Sequence, residues 1–284
     1  MIGPDGAGWK LLTDLMAERF GLGFDGPRRE ILEARIRPRL HALHLQDFRE
    51  YYHYLTLHPD RETEFAELAR RLTNNETYFF REQQHFEILL KHVVPAVAPT
   101  LGGAPLRILS AGCSSGEEAY SLVVKLVDAG MGLSGLSWEI DACDLNPQRI
   151  LQARGAIYES LSLRSCDAET RNHCFIEMDG RFRLRDRYRK GVRFFQANLA
   201  APVSSVAWGV YHAIFCRNML IYFTDEAFTA LIARLERALV PGGYLFLGHA
   251  ESLIDRTPTF EPLYLEGAMV YRRRWGSNGN GSAG

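Results

Sequence analysis

The sequence predicts an α/β protein: a mainly parallel, Rossmann-like sheet preceded by a small all-α unit. Three observations carry this. Residues 9–92 show helical apolar spacing and no strand pattern. From Leu106 onward, short apolar runs alternate with helical segments, the signature of βαβ units. Residues 106–125 (LRILSAGCSSGEEAYSLVVK) read as strand, glycine turn and helix, which together present backbone N–H groups and a helix N-terminus to a ligand.

The chain is 284 residues long, enough for one large domain or two unequal ones. A formal net charge of -1 supplies no global field for nucleic acid. Cysteines 113, 143, 166, 174 and 216 are scattered, odd in number and form no C-x-x-C pair. This speaks against a disulfide framework or a cysteine zinc site and for reduced, mostly buried thiols. The first residues, MIGPDGAGWKLL, lack the apolar core of a signal peptide, and no run approaches the ~20 apolar residues of a membrane span. A soluble, cytoplasmic, metal-free monomer is expected.

Taken in order, Leu11, Leu12, Leu15, Met16 and Phe20 define a first helix that Gly21 and Gly23 stop. Residues 27–44 follow with a stripe of Ile31, Leu32, Ile36 and Leu40. Phe48, Tyr51, Tyr52 and Leu55 mark a third helix, ending near His58-Pro59, and residues 62–72 a fourth. Residues 93–105, with three prolines and two glycines, form the expected joint, giving an all-α domain over 1–92 and a catalytic domain over 93–275. In the second domain, strands are expected at 107–110, 138–143, 211–216 and 244–248, with a helix at 227–239. Residues 268–272 read as a last, antiparallel edge strand. Residues 181–195 alternate Phe182, Leu184, Val192 and Phe194 with arginines around Lys190-Gly191, a small two-stranded insertion within about 175–196. The tail, 276–284, reads as a flexible linker.

Gly112 permits a tight turn, and Gly116 would let a ligand approach the backbone. The spacing is not G-x-G-x-x-G, so the dinucleotide fingerprint fails. Glu117 and Glu118 stand where pyrophosphate needs positive potential, so a cationic or hydroxyl-rich ligand fits better. A plain structural turn stays open on this stretch alone. Asp144 ends the second strand, where a carboxylate accepts from both ribose hydroxyls of an adenosine ligand; it could also cap the helix at Asn146-Pro147. An acidic glycine turn with a ribose carboxylate suggests S-adenosylmethionine, which has adenosine and a sulfonium but no phosphate.

LTNNETYFFREQQHF (72–86) closely resembles the signature of the chemotaxis receptor glutamate methyltransferases, the CheR family. So do AGCSSGEEAYS, CDLNPQRILQARGAIY, Asn198-Leu199, FCRNMLIYF and LVPGGYLFLGHAES, in order over nearly the whole chain. The resemblance implies a methyltransferase using S-adenosylmethionine and releasing S-adenosylhomocysteine. It assigns Asn75, Thr77 and Arg81 to the methionine end of the cofactor, Glu118 to its amino group and Asp144 to the ribose. It places Asn198 and Leu199 beside the adenine, Asn198 through amide hydrogen bonds, and Arg217 and Asn218 at cofactor and substrate. Tyr222 then faces the reaction centre, and Arg81 and Tyr222 orient the substrate carboxylate.

The resemblance also implies partners. Arg35, Arg37 and Arg39, on a helix with Arg28 and Arg29, would face acidic methylation helices of chemoreceptors, although Pro38 and His41 depart from the family's basic pattern. The seven Lys/Arg of residues 181–193 mark the β-subdomain that some relatives use to dock a receptor's C-terminal peptide. IEMDGR lacks those relatives' longer Gly-x-Gly segment, so peptide-independent action is expected. A catalytically silent module sensing S-adenosylmethionine is the alternative. A nucleic-acid methylase ranks lower without an Asn/Asp-Pro-Pro-aromatic motif, and a dehydrogenase lower still.

Overall fold

The computed structural model describes residues 6–24, 26, 28–72, 76–132, 135–201 and 209–275. The tail at 276–284 and Asn75 lie outside the described residues.

Four helices open the chain: α1 (Gly6–Phe20), α2 (Arg28–Ala42), α3 (Phe48–Leu57) and α4 (Arg61–Leu72). Each buries one stripe at helical spacing: Leu12, Met16 and Phe20; Leu32, Ile36 and Leu40; Phe48, Tyr51 and Leu55; Phe65, Leu68 and Leu72. Leu11 and Ile31, expected on those stripes, face solvent instead, one position out of phase. Asp47 caps α3 by accepting the Glu50 N–H at 2.8 Å, and Gly21, in the left-handed region (φ +70), ends α1.

The expected joint at residues 93–105 is helical as far as Thr100. A helical rod runs through α5 (Gln83–Ile88), a π turn (Leu89–Val93), α6 (Val94–Val97) and a 3₁₀ turn ending at Thr100. Phe86, Leu89, Val93, Val94 and Val97 pack into the sheet's core, because prolines at the start of a turn do not interrupt a helix.

The sheet core follows as β1 (Leu106–Ala111), α7 (Glu117–Asp128), β2 (Trp138–Asp144), α8 (Pro147–Gly155), β3 (Ile157–Tyr158), α9 (Ala168–Cys174), β4 (Phe175–Met178), β5 (Arg181–Leu184) and β6 (Val192–Gln196). It continues with β7 (Tyr211–Phe215), α10 (Asp225–Ala238), β8 (Leu239–Phe246), β9 (Phe260–Leu265) and β10 (Ala268–Arg273). The seven-stranded sheet has the order β6-β2-β1-β7-β8-β10-β9, parallel from β6 to β8 and antiparallel thereafter. Strand order reverses between β1 and β7, so a crevice opens at their carboxyl ends.

Three strand expectations change. Val192–Gln196 belongs to the main sheet, parallel to β2, and is no part of a two-stranded insertion. The small sheet is β3-β5-β4, because Arg181–Leu184 pairs with Phe175–Met178 and Ile157–Tyr158. Ala268–Arg273 lies inside the sheet, between β8 and the unpredicted edge strand β9. Alternation of period two names a strand but not its partner. Among the described residues no helix is long and apolar enough to cross a membrane, and all five cysteines are buried and free.

Candidate active site

At the crevice, Gly112 leaves β1 with φ +82 and donates its N–H to the Cys143 carbonyl at 2.8 Å, fastening the turn to the end of β2. Asp144 completes the staple. Its Oδ2 accepts the Ser114 N–H at 2.9 Å, and Oδ1 accepts the Asn146 N–H at 2.8 Å. The cap of α8 is Asn146, not Asp144: its side chain accepts from Gln148 at 3.0 Å. Burial raises the Asp144 pKa against those amide bonds. Gly116 has a different use from the one expected. A Cβ there would meet Ala153 at 2.9 Å, so the glycine serves packing of α8 on the turn and does not line the crevice.

Glu118, in the first turn of α7, accepts from Ser110 Oγ at 2.7 Å and from Arg217 Nη1 at 3.1 Å. The Arg217 side chain is 2% exposed, lies 3.0 Å from Glu82 and donates to the Arg81 carbonyl at 2.6 Å. Two carboxyl groups thus share one guanidinium below the crevice. Burial raises the Glu118 pKa against Arg217 and Ser110. Burial also pushes Glu82 up, but Arg217 and the hydrogen bond to His249 outweigh it, and Glu82 falls to about 2. Glu117 points elsewhere, accepting from Ser115 and Ser162 hydroxyls at 2.8 and 2.9 Å.

Ser114 and Asn218, which line the cleft, hold left-handed backbone (φ 48 and 58), as do Phe80 and Glu82 on either side of the cleft residue Arg81 (φ 59 and 56). At the rim, Arg81 donates to the Glu76 carbonyl at 3.1 Å. Asn198 lines the cleft and also has partners within the protein. Its Nδ2 donates to the Arg19 carbonyl at 2.6 Å and its Oδ1 accepts from Ala200 at 3.0 Å, so the amide joins the two domains. The same junction carries Gly23 N–H to the Tyr222 carbonyl (2.9 Å) and Thr224 N–H to the Gly21 carbonyl (2.8 Å).

Thr77, Arg81, Gly112, Glu118, Asp144, Asn198, Leu199, Arg217, Asn218 and Tyr222 line one open cleft of about 1010 Å³. Arg35, Arg37 and Arg39 do not. Arg39 is held within the domain, gripping Glu64 with two bonds of 2.9 and 2.6 Å, and Tyr51 donates to the same carboxylate at 2.5 Å. Arg35 donates to the Leu72 carbonyl at 2.6 Å, while Arg37 pairs with Glu33 at 3.0 Å and stays 42% exposed.

Sequence reasoning assigned no role to Glu82 or Glu251, although both stood inside quoted motifs. Only three-dimensional proximity gives them work. The cleft also suits a cationic, hydroxyl-bearing, phosphate-free ligand such as S-adenosylmethionine. Its floor carries acids, and two buried polar atoms among the lining residues, Ser114 Oγ and Arg217 Nε, have no hydrogen-bond partner within the protein. No group of three His, Cys, Asp or Glu among the described residues is placed to hold a metal.

Family comparisons add to this geometry. The profile described as "CheR methyltransferase, SAM binding domain" matches residues 75–267, and "CheR methyltransferase, all-alpha domain" matches residues 7–73. The two matches meet near residue 74, ahead of the division expected at 92/93, in accord with the rod that packs on the sheet. The chain is 35% identical over 241 residues to "Chemotaxis protein methyltransferase 2" of Vibrio cholerae, covering 84% of this chain and 83% of that one. It is 31% identical to the "Chemotaxis protein methyltransferase" of Salmonella typhimurium, covering 93% and 89%. It is 33% identical to the "Probable biofilm formation methyltransferase WspC" of Pseudomonas aeruginosa, covering 91% of this chain but 60% of that longer one.

Proposed function

The chain belongs to the CheR methyltransferase family, with its all-α domain and its S-adenosylmethionine-binding domain, and from that premise we propose that it methyl-esterifies glutamate side chains on the cytoplasmic helices of chemoreceptors. The observation that carries this reading is the convergence of Arg81 and Tyr222 with the acids Glu118 and Asp144 on one cleft between the two domains.

Bound there, S-adenosylmethionine supplies an electrophilic methyl group on a sulfonium. Thr77, Arg81 and Asn75 are assigned to its methionine end, Glu118 to the amino group and Asp144 to the ribose. Gly112, Leu199, Arg217 and Asn218 complete the wall. Asn198 contributes by fixing that wall to α1. A substrate glutamate is already ionised near neutral pH, so no general base is needed. Arg81 and Tyr222 orient that carboxylate, and the apolar wall partly strips its water. Too tight a clamp would weaken the nucleophile, so both residues position and neither moves a proton.

Receptor recognition is assigned to α2, through Arg37 and the partly buried Arg35. Action without a docking peptide is supported by the β4–β5 connection. Asp179 and Gly180, both at positive φ (49 and 74), make a two-residue hairpin with no longer loop to frame a peptide. The reading is completed by a cytoplasmic monomer. It is tested by transfer of labelled methyl to a receptor cytoplasmic fragment: base-labile label, released as methanol, is expected. Absence of transfer despite tight S-adenosylhomocysteine binding would overturn the substrate assignment. Micromolar binding of a receptor C-terminal peptide would overturn the docking assignment.

A further inference from the structure

Glu251 follows β8 and does not line the cleft, yet its buried carboxylate (8% exposed) organises one wall of it. Oε2 accepts the N–H groups of Gly248 at 2.7 Å and Asn218 at 2.8 Å. Oε1 accepts those of Leu220 at 2.7 Å and Ile221 at 3.4 Å. One side chain therefore gathers four amides from the loops that leave β7, at the topological switch, and its neighbour β8. Three of the four belong to the segment that carries Asn218 and Tyr222 into the cleft.

That segment has reason to need an anchor. Asn218 is held in the left-handed region (φ 58), which a non-glycine residue adopts only under constraint. A Cβ on Gly248 would come within 2.4 Å of the Asn218 side-chain nitrogen and 2.9 Å of its backbone nitrogen, so the two loops already touch. An ionised acceptor forms stronger bonds to backbone N–H groups than a neutral one. Its two oxygens offer about four lone-pair sites, matching the four amides.

We propose that Glu251 is a positioning residue for methyl transfer, fixing the Asn218–Tyr222 segment so that the Tyr222 hydroxyl meets the substrate carboxylate. The inference rests on the reading of the cleft as a glutamate methyltransferase site. Glu251→Gln keeps the size of the side chain but turns an N–H group against at least one of the four donors. The expected result is kcat down by ~10-fold or more, with the KM for S-adenosylmethionine within ~3-fold of wild type. Combined with Tyr222→Phe, the further loss from Glu251→Gln shrinks below ~3-fold, since a residue acting through Tyr222 has little left to act on. Amide exchange at Asn218, Leu220 and Gly248 accelerates in the same variant.

Losses that multiply fully in the double variant, or a raised KM at unchanged kcat, would overturn the inference. Either result would make Glu251 a general stabiliser or a cofactor contact. Should Glu251→Gln melt below the assay temperature, Glu251→Asp carries the same test with charge kept and reach shortened. If the wild-type protein transfers no methyl group, the substrate reading fails by itself, while exchange at the three amides still reports on the anchor. Unchanged exchange there would overturn the anchoring.

Discussion

The guanidinium of Arg217 lies 3.1 Å from the carboxylate of Glu118, joining the end of β7 to the first turn of α7 beneath the cleft. Glu82, 3.0 Å from the same guanidinium, brings in the rim segment ahead of α5. The cation thereby ties together three chain segments that reach the site from different parts of the sequence.

Arg217→Ala leaves two largely buried carboxylates without their counter-charge. Breaking such a pair from one side costs about 3–5 kcal/mol, mostly through the charges left behind. A large fall in melting temperature is expected by calorimetry, together with loss of S-adenosylhomocysteine binding.

The arginines of α2 separate into two kinds. Arg39→Ala breaks the buried grip on Glu64 and should destabilise the fold by about 3–5 kcal/mol. Arg37→Ala removes a half-exposed pair worth about 1 kcal/mol or less and should leave the melting temperature nearly unchanged while weakening receptor-fragment binding. Equal effects on stability would refute this division.

Tyr222→Phe should slow transfer by about tenfold to a hundredfold and leave S-adenosylhomocysteine affinity intact, measured by calorimetry beside steady-state rates. A matching drop in affinity would reassign the hydroxyl to cofactor binding.

Acid should weaken the fold in two stages. Burial first, then Arg217, lowers the His85 pKa from 6.5 to about 4, against the pull of Glu82. In the unfolded chain His85 takes up a proton first, so its share of stability is complete above pH 6.5 and falls between 6.5 and about 4, at most about 1.4 kcal/mol per pH unit. Glu82, depressed from 4.5 to about 2, contributes stability present above pH 4.5 and lost toward about 2. Denaturant melts of His85→Asn across pH 4–7 should lack the upper slope. A slope equal to that of wild type would place its source elsewhere.

Gly116→Ala should destabilise the protein by about 1–3 kcal/mol. Its backbone sits at φ +93, and the new methyl would lie 2.9 Å from Ala153 Cβ and 3.3 Å from Ala153 Cα, which the α8 backbone holds. Gly112→Ala meets only the sulfur of Met219, at 2.8 Å, a flexible end that can move, so its cost is mainly that of φ +82. Melting temperatures of the two variants should therefore differ, with Gly116→Ala the lower.

Much of this protein is legible in its sequence, because it is written in local terms. Apolar spacing marked the helices of the first domain, and strand, glycine turn and helix at residues 106–125 marked the first βα unit of the sheet. A carboxylate at the end of β2 and acids after the glycine turn already favoured a phosphate-free cofactor. Partnership was not legible. Val192–Gln196 reads equally well as half of a hairpin or as a parallel edge strand, and only β2 decides. An arginine on a helix reads as a docking charge until Glu64 takes Arg39 away from solvent. Glu82 and Glu251 became structural determinants only when folding brought them to Arg217 and to four backbone amides. Periodicity and turn chemistry act over a few residues, and the sequence by itself determines them. Ion pairs, strand order and loop anchors act across tens to hundreds of residues, and the tertiary structure alone decides which groups meet.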